Sequence, residues 1–114
     1  MKNLDSTRAY SDRHEKSVCK ALNATQQPNS GAGLFRKGDV VQEESSLLIE
    51  CKCCMSEKKS VSIKKDWIEK NKEECFRNRL TNSAICINFE PKGKNYYVID
   101  ENLMKMLCET LKDV

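Results

Sequence analysis

Residues 36–52 read Arg36-Lys37-Gly38-Asp39-Val40-Val41-Gln42-Glu43-Glu44-Ser45-Ser46-Leu47-Leu48-Ile49-Glu50-Cys51-Lys52. Two apolar runs flank a short polar break at 43–46, which predicts two strands, over 34–42 and 47–54, joined as an antiparallel hairpin. Each run carries charge where a strand interior rarely has it. Asp is poorly suited to strand interiors, and Gly38 before Asp39 allows a bulge or a close backbone approach. In the second strand, side chains alternate between faces. Leu47, Ile49, Cys51 and Cys53 share one face, and Leu48, Glu50 and Lys52 share the other. The short connection lets Asp39 and Glu50 lie close together on adjacent strands. Two carboxylates at that range repel unless a proton or a cation sits between them. A divalent ion is the ordinary solution, and all-oxygen ligands favour Mg²⁺ or Mn²⁺ over zinc. Taken alone, Glu50-x-Lys52 also fits a solvated strand face or a cross-strand ion pair.

Outward from the hairpin, residues 1–10 read as a flexible arm and 11–26 as a helix. Val18, Cys19 and Leu22 form its apolar stripe, and Glu15 precedes them at the same spacing, so Glu15 is aimed at the sheet. A first-turn acid favoured by the helix dipole is the other reading of Glu15. The segment 27–33, with Pro28, Gly31 and Gly33, is a loop. Beyond the hairpin, 60–63 reads as a short third strand running into a helix over 64–79. One face of that helix holds Lys64, Trp67, Ile68, Asn71 and Cys75. Lys64 heads it and either points toward the carboxylates or snorkels to water. The nearly all-apolar run 84–89 predicts a central strand covered on both faces, and 96–99 a further strand. Leu103, Met106, Leu107, Thr110, Leu111 and Val114 recur at helical spacing and predict a closing C-terminal helix. The order is helix, three strands, helix, two strands, helix: an α/β sandwich with a mixed sheet flanked by helices, in one domain spanning 1–114.

Charge and cysteine content narrow the setting. The net charge of +3 is mildly basic. Segment 57–80 holds Lys58, Lys59, Lys64, Lys65, Lys70, Lys72, Arg77 and Arg79 against five acids. It reads either as a phosphate-facing surface or as a helix laced with ion pairs. The longest apolar runs are four residues, at 84–87 and 96–99, so no membrane span is expected. The first residues lack the apolar centre of a secretory signal, and the seven cysteines are an odd count. Free thiols in a cytoplasmic setting, a host cytoplasm if the chain is phage-encoded, are the expectation. Cys51, Cys53 and Cys54 lack the spacing of a zinc knuckle, while Cys19, Cys86 and Cys108 sit among apolar residues and read as core. Neither a P-loop nor a nucleophile elbow occurs, which removes support for NTP hydrolysis and for a covalent serine mechanism.

Gly38-Asp39, the eleven-residue step, and Glu50-Cys51-Lys52 together resemble the signature of the PD-(D/E)XK nuclease superfamily. With Glu15 upstream and the loop Asn29-Ser30-Gly31-Ala32-Gly33, the arrangement is similar to archaeal-type Holliday junction resolvases and their phage-encoded relatives. The residue before Asp39 is Gly38 where the superfamily pattern has Pro. The resemblance implies a restriction-endonuclease-like α/β sandwich. It implies a catalytic set of Glu15, Asp39, Glu50 and Lys52, with Mg²⁺, or Mn²⁺ in its place, held by Asp39, Glu50, Glu15 and the main-chain carbonyl of Cys51. Lys52 orients or helps activate the attacking water, and Lys64 or Lys65 is the candidate for a further polar group from the second helix. Branched or double-stranded DNA is the implied partner, contacted by Arg13, Asn29, Ser30, Lys37, Lys58, Lys59, Lys64 and Lys65. A homodimer is implied, with Phe89, Tyr96, Tyr97, Met104 and Met106 as interface material. The alternatives are a general or restriction-type nuclease of this superfamily, and a non-catalytic DNA-binding protein with the same fold.

Overall fold

The computed structural model describes residues 6–27 and 39–114, with the backbone alone for Ser6, Thr7 and Asp39. Helix α1, Ser6–Leu22, begins five residues earlier than the sequence predicts, so part of the expected arm is helical. It stops short of residue 26 because Asn23 takes a left-handed φ of 54°, a conformation that Asn tolerates at a helix end. Ala24 N–H closes that end on Cys19 O at 2.9 Å. The chain then forms β1, Thr25–Gln26, which pairs antiparallel with β2, Asp39–Gln42. The predicted loop beyond Gln27, with Asn29 and Ser30, lies outside the described residues. So does the start of the predicted strand, with Arg36, Lys37 and Gly38.

The hairpin forms as predicted. β2 pairs antiparallel with β3, Leu47–Lys52, across the 43–46 turn, where Ser46 has a φ of 53°. Ser46 O accepts the backbone N–H groups of Thr81 at 3.1 Å and Asn82 at 2.8 Å, tying the turn to the next strand. Residues 60–63 form no strand. Both edges of β3 are already taken, by β2 on one side and by β4, Asn82–Ile87, on the other. Helix α2, Lys65–Arg77, makes the crossover that lets β3 and β4 run parallel. β4 opens at Asn82, two residues before the predicted start at 84. β5, Tyr96–Val98, pairs antiparallel with β4 at the sheet edge. The result is an α/β fold with a five-stranded mixed sheet, ordered β1-β2-β3-β4-β5, and three helices.

The two sheet faces divide the core. Val18 of α1 packs with Val40, Ile49, Ala84 and Cys86 on one side. Cys75 of α2 packs with Val41 and Leu48 on the other. Leu48 and Ile49 are both fully buried, each contributing roughly 1.5–3 kcal/mol of burial. Helix α3, Glu101–Lys112, departs from expectation. Its N-terminus is anchored by Asp100, which accepts the Leu103 N–H at 3.0 Å and pairs with Lys72 at 2.6 Å. Yet none of its residues is buried. Met104, Met106, Leu107 and Leu111 are exposed, and so is Cys108, which the sequence places in the core. The periodicity is sound, but α1 and α2 already occupy both faces of the sheet.

Candidate active site

The β2–β3 register sets Asp39 directly opposite Glu50. On β3, alternation sends Leu48, Glu50 and Lys52 to the α2 side and Leu47, Ile49 and Cys51 to the α1 side. The core clusters agree, with Leu48 against α2 and Ile49 and Cys51 against α1. Glu50 is only 3% exposed. Lys52 Nζ lies 2.9 Å from Glu50 Oε2 and 4.8 Å from the centroid of the Trp67 ring. The carboxylate and the indole face together fix the ammonium. Burying a carboxylate costs several kcal/mol even when it is paired. Placing Glu50 at this depth, beside a half-buried Lys52, is therefore a poor way to add stability.

Glu15 is 6% exposed, which bears out its aim at the sheet. It approaches from the α1 side of β3, where its charge helps to raise the Cys19 and Cys51 thiols above their usual range, after burial at Cys19 and the Cys86 hydrogen bond at Cys51. Gln26 Nε2 of β1 donates to Glu15 Oε1 at 2.7 Å and to Asp12 Oδ1 at 2.9 Å. The Gln26 hydrogen bond and Lys16 hold the Asp12 carboxyl below the usual range. Glu15 and Glu50 thus reach β3 from opposite sides. Among the described residues, no three His, Cys, Asp or Glu side chains form a group able to hold a metal ion, and the Asp39 side chain lies outside those residues.

The basic candidates separate by surroundings. Arg13 is exposed, with its guanidinium carbon 5.5 Å from the Tyr10 ring centroid. Lys58 and Lys59 are exposed in the connection between β3 and α2, where Lys58 N–H donates to Phe89 O at 2.7 Å. Lys64 is exposed at the head of α2, 6.0 Å from the Trp67 ring. Lys65 faces Glu69 at 3.8 Å, Lys70 faces Asp66 at 3.3 Å and Arg77 faces Glu73 at 3.4 Å. The charge of α2 is mostly paired along the helix. Among the described residues Lys58, Lys59 and Lys64 form no salt bridge. Asn29, Ser30 and Lys37 lie outside the described residues.

The sequence reading passed over a second polar cluster, on the α1 side. His14 is 5% exposed; its Nε2 lies 3.0 Å from Asn95 Oδ1 and 3.5 Å from Cys86 Sγ. Burial opposes a charged imidazole, but the Cys53 and Cys86 thiols outweigh it and raise the His14 pKa to about 9. Cys53 is lowered in turn, chiefly by His14. Trp67 and Gln26 were also missed as supports of Lys52 and Glu15. A Trp one turn into α2 and a Gln closing a predicted helix carry no distinctive spacing. No protein-family model, curated protein or solved structure matches this chain.

Proposed function

We propose that this chain is a metal-dependent, structure-selective DNA endonuclease, and specifically a resolvase of four-way junctions. The observation that carries the reading is buried Glu50, paired with half-buried Lys52 and standing opposite Asp39 in the β2–β3 register. Acid, acid and lysine on two adjacent strands suit hydrolysis of a phosphodiester. The donor set fits a hard divalent cation in kind. Glu50 is a buried carboxylate, Asp39 is its strand partner, and Cys51 contributes a main-chain carbonyl one residue on. Glu15 comes from the other side of β3, opposite Glu50. Bound Mg²⁺ or Mn²⁺ supplies a lowered water pKa and neutralises phosphate charge. Lys52, held by Glu50 and Trp67, presents a preorganised positive charge to the pentacovalent transition state and orients the attacking water. Lys58, Lys59, Lys64 and Arg13 are exposed cations able to track phosphates.

Paired cuts at a junction need two catalytic centres, and a two-fold homodimer provides them. The exposed apolar residues of β5 and α3 support that assembly: Tyr96, Tyr97, Met104, Met106, Leu107 and Leu111. The non-catalytic reading has one observation in its favour, since Glu50 and Lys52 at 2.9 Å already neutralise each other. A panel of end-labelled four-way junctions, flaps, duplexes and single strands, incubated with Mg²⁺, separates the readings. The resolvase reading expects symmetric paired cuts in a junction that cannot branch-migrate. Cutting of flaps or duplex alone favours a general nuclease, and binding without cutting favours the non-catalytic protein.

A further inference from the structure

A cavity of about 210 Å³ opens where the parallel strands β3 and β4 end, bounded by α1 and by the turn before β5. Clefts outside the carboxyl ends of parallel strands are common ligand sites. Tyr10, Arg13, His14, Cys54, Asn88 and Lys92 contribute to its lining, and no acidic residue is among the described residues that line it. We propose that this cavity receives one unpaired nucleotide of the DNA. The inference rests on the endonuclease reading and adds a substrate feature to it.

Each part of the lining matches a part of a nucleotide. The Arg13 guanidinium and the Tyr10 ring lie against each other, with the guanidinium carbon 5.5 Å from the ring centroid. Aromatic and guanidinium planes are the usual stacking platforms for unpaired bases. Asn88 is 2% exposed, and its Oδ1 is held by the Cys54 N–H at 2.8 Å. That leaves the Asn88 Nδ2 hydrogens for a base edge, since no acceptor is described for them. Asn95 fixes the His14 ring through Nε2, while His14 Nδ1 is a buried polar atom with no hydrogen-bond partner among the described residues. Arg13 and Lys92 are exposed cations suited to the phosphate.

The far wall is a tight turn: Lys92 has a φ of 64°, and a Cβ on Gly93 would meet Glu90 Cγ at 2.7 Å and Glu90 O at 2.9 Å, so a side chain at position 93 would force the turn to shift. The volume is below the roughly 300 Å³ at which drug-sized sites begin, which limits the occupant to about one nucleotide. Cys53 and Cys54 follow Lys52 directly. At about 3.3 Å per strand residue, the cavity starts roughly 10 Å along β3 from Glu50. The cavity lies on the α1 side of the sheet and Glu50 and Lys52 on the α2 side, so one DNA strand reaches both by rounding the carboxyl edge of β3. At a branch point stacking is interrupted, so a nucleotide leaves its pair for the cavity at lower cost than in continuous duplex.

The test uses the full chain with metal chelated, so that no cutting occurs. Binding is measured by fluorescence anisotropy on a duplex and on the same duplex with one extra, unpaired 2-aminopurine. Wild type is expected to bind the second DNA about tenfold more tightly, with quenched 2-aminopurine emission, as one stacked base allows. Tyr10→Leu should lose both the preference and the quenching while retaining duplex affinity, and Tyr10→Phe should keep them, each with a wild-type melting curve by circular dichroism. Millimolar deoxyadenosine monophosphate should restore 2-aminopurine emission if the free nucleotide fills the same cavity. Restoration without release of the duplex supports the assignment. Equal affinity of wild type for the two DNAs, or a preference unchanged in Tyr10→Leu, overturns the inference and leaves the endonuclease reading standing. No binding to either DNA overturns both.

Discussion

Strand β3 and helix α3 break the same rule in opposite directions. β3 lies in the middle of the sheet and buries Glu50, with Lys52 beside it. α3 has the clearest amphipathic pattern in the chain, yet leaves Met104, Met106, Leu107 and Leu111 exposed. The strand gives up stability to hold charges in a low-dielectric place, since a buried ion pair rarely repays its desolvation. The helix leaves apolar area uncovered that a monomer would normally bury. Under the proposed function both departures answer to a partner outside the fold: a cation and a phosphate for β3, and a second copy of the chain for α3. Local pattern tells which groups are held ready, and packing tells what the fold itself leaves unmet.

Four variants probe the contrast, from the largest effect to the smallest. Lys52→Ala should lower kcat by about 10²–10³-fold with little change in DNA affinity, because its charge acts in the transition state. Single-turnover cleavage and anisotropy measured on the same junction separate the two. A loss confined to affinity makes Lys52 a phosphate contact. Next, Ile49→Ala and Leu111→Ala should diverge in urea melts. Fully buried Ile49 should cost about 2–5 kcal/mol, and Leu111, 69% exposed, within about 0.5 kcal/mol in the monomer. Equal losses would mean that α3 packs against its own chain after all. Finally, Leu107→Glu should convert a dimer at micromolar concentration to a monomer by sedimentation without lowering the melting temperature of the isolated domain. A wild-type monomer, or a dimer untouched by this variant, removes α3 from the interface.

Much of this was legible in the sequence, and the failures have physical causes. The Asp39–Glu50 pairing followed from the short polar connection, because a hairpin turn leaves few registers that keep the apolar residues inside. The strand expected at 60–63 failed because its propensity is local, whereas a strand needs a free sheet edge. β1 was missed for the converse reason. Thr25–Gln26 has little pattern of its own, but Asn23 ends the helix early and delivers it to the edge of β2. The His14 cluster was invisible because its partners are remote: Cys86 is 72 residues away and Asn95 is 81. A single histidine four residues before Val18 reads as ordinary core. The place of Glu15 was only half legible: helical spacing aims it at the sheet without saying that it arrives on the side opposite Glu50.

The most direct test of the central claim is cleavage of a fixed four-way junction by wild type, Asp39→Asn and Glu50→Gln, each titrated with Mg²⁺ and with Mn²⁺. The account predicts cleavage by wild type only when the metal is present. It also predicts no cleavage by either variant at any metal concentration, with DNA binding retained because the removed carboxylates repel phosphate when no metal is bound. Cleavage by wild type in chelator, or full activity of both variants in Mg²⁺, would contradict it.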